Sequence, residues 1–293
     1  MKNYSLYSIT VLIIITISIA GHAQPKTITS SRIICSFTVD SLGACQGVFV
    51  SGDTIFLYGD RECGVVRAYK QSGDSLRYLN CEVKLTQNGE DLINHPTGFA
   101  FYNPDTVFIG NSIRLDAAGK KWKAVIYCID WKASLKTGTL DGHIINIIED
   151  DACIQGTRPL TVRYHDKQYL ATSDYGPVRN EVRLYNPQKL LTAKNTSESG
   201  IVQYRFPCIP WVQNLAWRQS SNELVLICNT SEGKGWQLNV LDLSGSIQTK
   251  KARYLKSFNY PLQTELEGFA FYKAVGIGVS SSRKNNVSFI SFR

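Results

Sequence analysis

The sequence contains no Cys-x-x-Cys pair, and three of its four histidines, His95, His143 and His165, stand far apart, so a zinc site is not expected. It also has no Gly-x-Ser-x-Gly elbow, no Walker loop and no dinucleotide fingerprint, which sets aside the chemistries those phrases carry. Runs of like charge are missing too. The 32 Lys and Arg and 24 Asp and Glu are scattered, so the formal net charge of +8 forms no basic stripe and no nucleic-acid partner is expected. No apolar run reaches the roughly 20 residues a membrane-spanning helix needs. The longest covers residues 6–20, follows Lys2 and ends at Gly21-His22-Ala23, the layout of a cleaved export signal. The reading is a signal peptide at residues 1–23, then a single domain at 24–293, secreted or periplasmic and not membrane-bound after cleavage. Eight cysteines permit disulfides in an exported chain, but about 105 complete pairings exist and the sequence selects none.

What is present is a repeat. Five phrases open on a short apolar run: Gln46-Gly47-Val48-Phe49, Thr97-Gly98-Phe99-Ala100-Phe101, Arg158-Pro159-Leu160-Thr161-Val162, Gln213-Asn214-Leu215-Ala216-Trp217 and Glu267-Gly268-Phe269-Ala270-Phe271. Polar or Gly-containing turns follow, such as Ser51-Gly52-Asp53 and Asn103-Pro104-Asp105, and then a second apolar run, which is the signature of a β-hairpin. The period of roughly 50 to 60 residues falls in the range of propellers and solenoids. A third, alternating strand follows every hairpin, and a fourth, more polar one follows the first four. The fifth copy lacks a fourth strand because the chain ends, whereas residues 32–38 supply a spare one at the start. The expected fold is all-β: a five-bladed β-propeller of four-stranded antiparallel blades, its ring closed by the N-terminal strand. A two-sheet sandwich, the main rival, does not explain five similar hairpins.

The Gly-Phe-Ala-Phe phrases and the Glu267-Gly268 entry to the last copy resemble those of exported bacterial propellers in the broad gluconolactonase-like and lactonase-like group. The resemblance implies the architecture over the whole mature length. Five repeats differ from the six blades of lactonases, so it implies no particular activity.

In a propeller, the residues that open each innermost strand and those that end the second strand meet at one channel mouth. The first set is Gln46, Thr97, Arg158, Gln213 and Glu267, with His95 and Trp211 beside them. The second includes Asp60, Arg61, Glu62, Asn111, Asp174, Asn229 and Glu232. Loops on a rigid scaffold are where binding groups concentrate, although Asp and Asn also make turns for purely local reasons. The expected occupant is a small polar or anionic molecule, or a protein partner. Two enzyme readings use the same mouth. Pairs drawn from Asp60, Glu62, Asp174, Glu232, Glu265 and Glu267 offer the two carboxylates of a glycosidase. Glu267, Asn111, Asp174 and Asn229 offer hard oxygens for calcium in a lactonase or esterase, against which stands the fixed charge of Arg158. Arg158 and Glu267, the only cation and anion among the strand-opening residues, are expected either to pair or to hold a ligand between them.

Overall fold

The protein is described by a computed structural model covering residues 27–153, 155–231 and 234–293; the expected signal segment and Glu232 lie outside the described residues. Five four-stranded antiparallel sheets make up the ring. From inside outwards, blade 1 is Cys45–Ser51, Thr54–Asp60, Gly64–Ser72 and Ser75–Lys84, and blade 2 is Pro96–Asn103, Thr106–Arg114, Trp122–Asp130 and Ile144–Glu149. Blade 3 is Leu160–Tyr164, Lys167–Ser173, Glu181–Tyr185 and Val202–Pro207, and blade 4 is Val212–Arg218, Glu223–Ser231, Lys234–Asp242 and Tyr254–Tyr260. Blade 5 takes three strands from the C-terminus, Leu266–Tyr272, Val275–Ser280 and Val287–Phe292, and its outermost strand, Ser31–Phe37, from the N-terminus. The two termini pair antiparallel from Ser31 opposite Phe292 to Phe37 opposite Val287, closing the ring.

The hairpin turns show why the apolar runs stop where they do. Asn103 Oδ1 accepts from the backbone N–H groups of Asp105 and Thr106, an Asx turn. His165 and Asp166 both hold positive φ, 47° and 59°, as a two-residue hairpin whose twist matches its strands requires. Three short helices, Trp131–Thr137, Pro187–Leu190 and Leu243–Thr249, follow the third strands of blades 2, 3 and 4 and were not foreseen from the sequence. Their starts were legible all the same. Asp130, Asn186 and Asp242 each cap one by accepting a backbone N–H with the side chain, the ordinary role of Asp and Asn at a helix start.

The core lies between blade faces. Between blades 1 and 2, for example, Phe49 stacks on Phe56 and Phe99 at 4.7 and 4.6 Å between ring centroids, with Trp131 edge-on at 6.0 Å. All eight cysteines are free thiols, with Cys45, Cys128 and Cys228 buried as small hydrophobes.

The inner strands crowd the axis, which accounts for the glycine of the repeated phrase. A Cβ on Gly268 would lie 2.7 Å from the Cα of Gly47, so blades 5 and 1 touch backbone to backbone there. A Cβ on Gly47 would lie 2.0 Å from the Tyr58 hydroxyl. Tyr58 sits on the second strand of blade 1 and passes over Gly47 to accept a hydrogen bond from Asn214 Nδ2 of blade 4 at 2.9 Å. Asn214 also donates to the Glu267 carbonyl of blade 5 at 3.2 Å. This buried bar links blades 1, 4 and 5. Gly47→Val has no room for its side chain unless Tyr58 leaves. The expected cost is about 1 to 3 kcal/mol from overpacking, read as a lower denaturant midpoint, and Tyr58→Phe in the same chain should not restore it, because the clash is with the ring as well as the hydroxyl.

Candidate functional site at the polar channel mouth

The residues opening the inner strands meet around the axis, and several bond to the next blade. Thr97 donates to the Thr157 carbonyl, linking blade 2 to blade 3. Arg158 Nε donates to the Gln213 carbonyl at 3.1 Å and Nη2 to Gln213 Oε1 at 3.4 Å, linking blade 3 to blade 4. Gln213 Nε2 donates to Glu265 Oε1 at 2.5 Å, and Asn229 Nδ2 reaches the same oxygen at 3.3 Å. Glu265 in turn stands close enough to Glu267 for its charge to raise the Glu267 carboxyl. Gln46 donates to Asp60 Oδ2 at 3.2 Å within blade 1.

Inside this arc lies a cavity of about 360 Å3, lined by His95, Arg158, Gln213, Glu265 and Glu267 together with Ser112, Arg114, Trp122, Gln155 and Tyr175. Arg158 is only 3% exposed. Its guanidinium lies 5.5 Å from the Tyr175 ring centroid, and Trp211 packs edge-on against Tyr175 at 5.2 Å. Trp211 holds φ at 60°, a costly conformation for a bulky residue and one that clusters at functional sites. Among the described residues, Arg158 Nη1, Ser112 Oγ and Gln155 Oε1 are buried without a hydrogen-bond partner. Two of them converge over Gly156, where φ is 148°: a Cβ there would lie 1.8 Å from Ser112 Oγ and 2.8 Å from Arg158 Nη1. A glycine therefore makes the space that the guanidinium and hydroxyl share.

Other sequence candidates are held by the backbone or point elsewhere. Asp60 Oδ1 accepts from Ala44 N, Asn111 Oδ1 from His95 N and Asp174 Oδ1 from Gln155 N. In blades 1, 2 and 3 alike, the Asp or Asn ending the second strand thus staples the loop that leads into its own inner strand. Asn229 does the same for blade 5 through Leu266 N. These bonds explain the recurrence of Asp and Asn without a ligand. Arg61 turns outward to Glu82 at 3.1 Å, and Glu62 is exposed. No ion pair joins Arg158 to Glu267 among the described residues, so the direct pairing expected from the sequence does not form. The calcium set fits poorly: three of its four side chains already give an oxygen to a backbone N–H, and the uncompensated Arg158 charge shares the cavity. Ser112, Gln155 and Trp122 were missed by the sequence reading. Ser112 adjoins Asn111 near the strand end, whereas Gln155 lies in a loop of no repeated length and Trp122 opens the third strand of blade 2.

Burial shapes the electrostatics. The Glu267 carboxyl is raised well above the usual range, first by burial and then by the negative charge of Glu265; the opposing pull of Arg158 is smaller. Burial, followed by the Arg158 charge, lowers His95 to about 4. These two groups give stability opposite pH dependences. His95 binds its proton less readily folded than unfolded, so its contribution is present above about 6.5 and lost as pH falls towards 4. Glu267 binds its proton more readily when folded, so its contribution is present below the unfolded carboxylate range and lost as pH rises through the folded value. Between about 6.5 and 4 the two oppose each other, so the check is a difference: the denaturant midpoint of His95→Gln, taken relative to that of the unaltered chain, should rise on acidification through that range.

No family model matches the chain, and no curated protein does. Solved structures do. The computationally designed Ika8 protein shares 12% identity at a TM-score of 0.33, over 84% of this chain and 57% of that one. Hydrazine synthase of Kuenenia stuttgartiensis shares 10% at 0.44 over 82% and 56%, and a nidogen/laminin complex 9% at 0.42 over 82% and 73%. The chain spans little more than half the length of the first two. With TM-scores below 0.5, the three say nothing about its chemistry.

Proposed function

We propose that the chain is a binding propeller whose polar mouth takes a small hydroxylated carboxylate such as a sugar acid. The observation that carries this reading is the buried Arg158 guanidinium, whose Nη1 has no partner among the described residues, in a side chain that lines a cavity of about 360 Å3. A ligand carboxylate would take that N–H as a charge-assisted bond, which a planar guanidinium makes more selectively than an ammonium. Glu265, Glu267 and Gln155 would accept from ligand hydroxyls, and Trp122 and Tyr175 offer ring faces for the carbon skeleton. The neutral His95 leaves Arg158 as the main cation facing Glu265 and Glu267. Export to the periplasm or medium, supported by residues 1–23, and membership of the gluconolactonase-like group, supported by the Gly-Phe-Ala-Phe phrases, belong to the same proposal. Among the described residues, no helix is long and apolar enough to cross a membrane.

A second reading, hydrolysis of a lactone, ester or glycoside at this mouth, is favoured by one feature. Burial and then the neighbouring Glu265 push the Glu267 carboxyl well above its ordinary range, the surroundings a general acid beside a potential base would have. Calorimetric titration with glucuronate, galacturonate and the parent neutral sugars tests the first reading: acids should bind at least about tenfold more tightly, the worth of one charge-assisted bond. Equal affinity for acid and neutral sugar would overturn it, whereas turnover of gluconolactone or a nitrophenyl ester, abolished by Glu267→Gln, would establish the second.

A further inference from the structure

On the far side of the Tyr58–Asn214 bar, the same inner strands line a different cavity. Its volume is about 210 Å3, and its walls are mostly apolar, with Phe49, Phe99, Phe101, Trp217, Phe269 and Phe271 contributed by four blades. Tyr58 and Asn214 form its polar floor. A second hollow of about 440 Å3 continues it outward, since Val50, Phe101, Thr161 and Trp217 line both. The outer hollow reaches Arg163 and Gln168 on the hairpin of blade 3.

Two groups along this path, Trp217 Nε1 and the Arg163 guanidinium, are donors without a partner among the described residues. Trp217 Nε1 is buried without an acceptor. Arg163 is exposed, and no hydrogen bond or ion pair joins it to any described residue. Gln168 turns its Nε2 to the carbonyls of Phe101 and Tyr102, which removes those acceptors from the groove. The groove therefore offers an aromatic interior, an unmet indole N–H at the junction and an unpaired cation at the outer end. A purely apolar occupant would leave the indole N–H unsatisfied, and a purely polar one would gain nothing from the six rings.

We propose that this mouth is a second binding site, taking an amphiphilic carboxylate of medium length, with the apolar tail among the rings and the carboxylate in the outer hollow that Trp217 and Arg163 both line. The polar mouth plays no part in it: the two cavities share no lining residue.

Octanoate serves as the probe, titrated calorimetrically into the mature chain with octanol and acetate as controls. Octanoate should bind more tightly than octanol, and acetate should not bind measurably. Arg163→Gln, an exposed change that leaves the fold intact, should weaken octanoate about tenfold and leave octanol unchanged. Ala270→Phe, which fills the half-buried wall of the inner cavity, should abolish binding of both. Should that variant fail to fold, methyl resonances of Val48, Val50 and Leu215 in the unmodified protein report the same occupancy by shifting with octanoate. The proposal is overturned if octanoate fails to bind, if Arg163→Gln leaves its affinity unchanged, or if binding persists with the inner cavity filled or those methyls unmoved.

Discussion

Removal of residues 27–38 is expected to lower the melting temperature of the propeller by at least about 10 °C, or to prevent folding altogether. These residues form the outer strand of a blade whose other three strands come from the opposite end of the chain. Thr29 N donates to the Arg293 carbonyl at 2.6 Å, and Phe37 packs edge-on against Phe289 at 5.2 Å. Ile28, 2% exposed, sits in the core of blades 4 and 5, and its N–H reaches the buried Glu223 carboxylate. Burying one such side chain contributes about 1.5 to 3 kcal/mol, and the half-buried Ile33 and Phe37 add smaller amounts. A loss of about 5 kcal/mol approaches the whole stability of a small domain. At about 2 to 4 °C per kcal/mol for a large domain, it gives the stated shift. The deletion also bares Val287–Phe292 as an unprotected edge, so the truncated chain should aggregate on heating. A truncated chain that melts with the full one, by circular dichroism at matched concentration, would mean the ends do not close the ring.

The fold was legible because each blade repeats one hydrophobic pattern. The spare N-terminal strand was visible for the same reason, since residues 32–38 alternate as an outer strand should and the fifth copy lacked one. The site was only partly legible. Sequence position placed Arg158, Gln213, His95 and Glu267 at one mouth, but could not show that Asp60, Asn111, Asp174 and Asn229 give an oxygen to the backbone, because the staple and the ligand contact call for the same residue types. Nor could it show that Arg158 turns to Gln213 rather than Glu267. That choice depends on which neighbouring inner strand lies within reach, a matter of blade angle rather than of pattern. Gln155 and Ser112 were hidden because their importance lies in side-chain oxygens that have no partner among the described residues.

Arg158→Met is expected to weaken sugar-acid binding about 100-fold while leaving the fold at least as stable. The loss follows from truncating a buried, hydrogen-bonded charge opposite a ligand carboxylate, which typically costs 2 to 5 kcal/mol. Retained stability follows from the desolvation that Arg158 already bears. Burial is the leading influence on its guanidinium and lowers its pKa, and no ion pair among the described residues compensates for it, so an apolar side chain of similar length removes a strained charge at the cost of two hydrogen bonds to Gln213. Arg158→Lys should retain only part of the affinity, since a point charge cannot keep Gln213 and engage a carboxylate with one rigid fork. Glu267 supplies an independent readout. The positive charge of Arg158 lowers its pKa, so in Arg158→Met the loss of stability on alkalinisation should extend to higher pH, and adding Glu267→Gln should abolish that limb without restoring binding. The opposite pattern, a destabilised Arg158→Met rescued by Glu267→Gln with affinity unchanged throughout, would show the arginine to be a structural counter-charge and would remove it from the binding site.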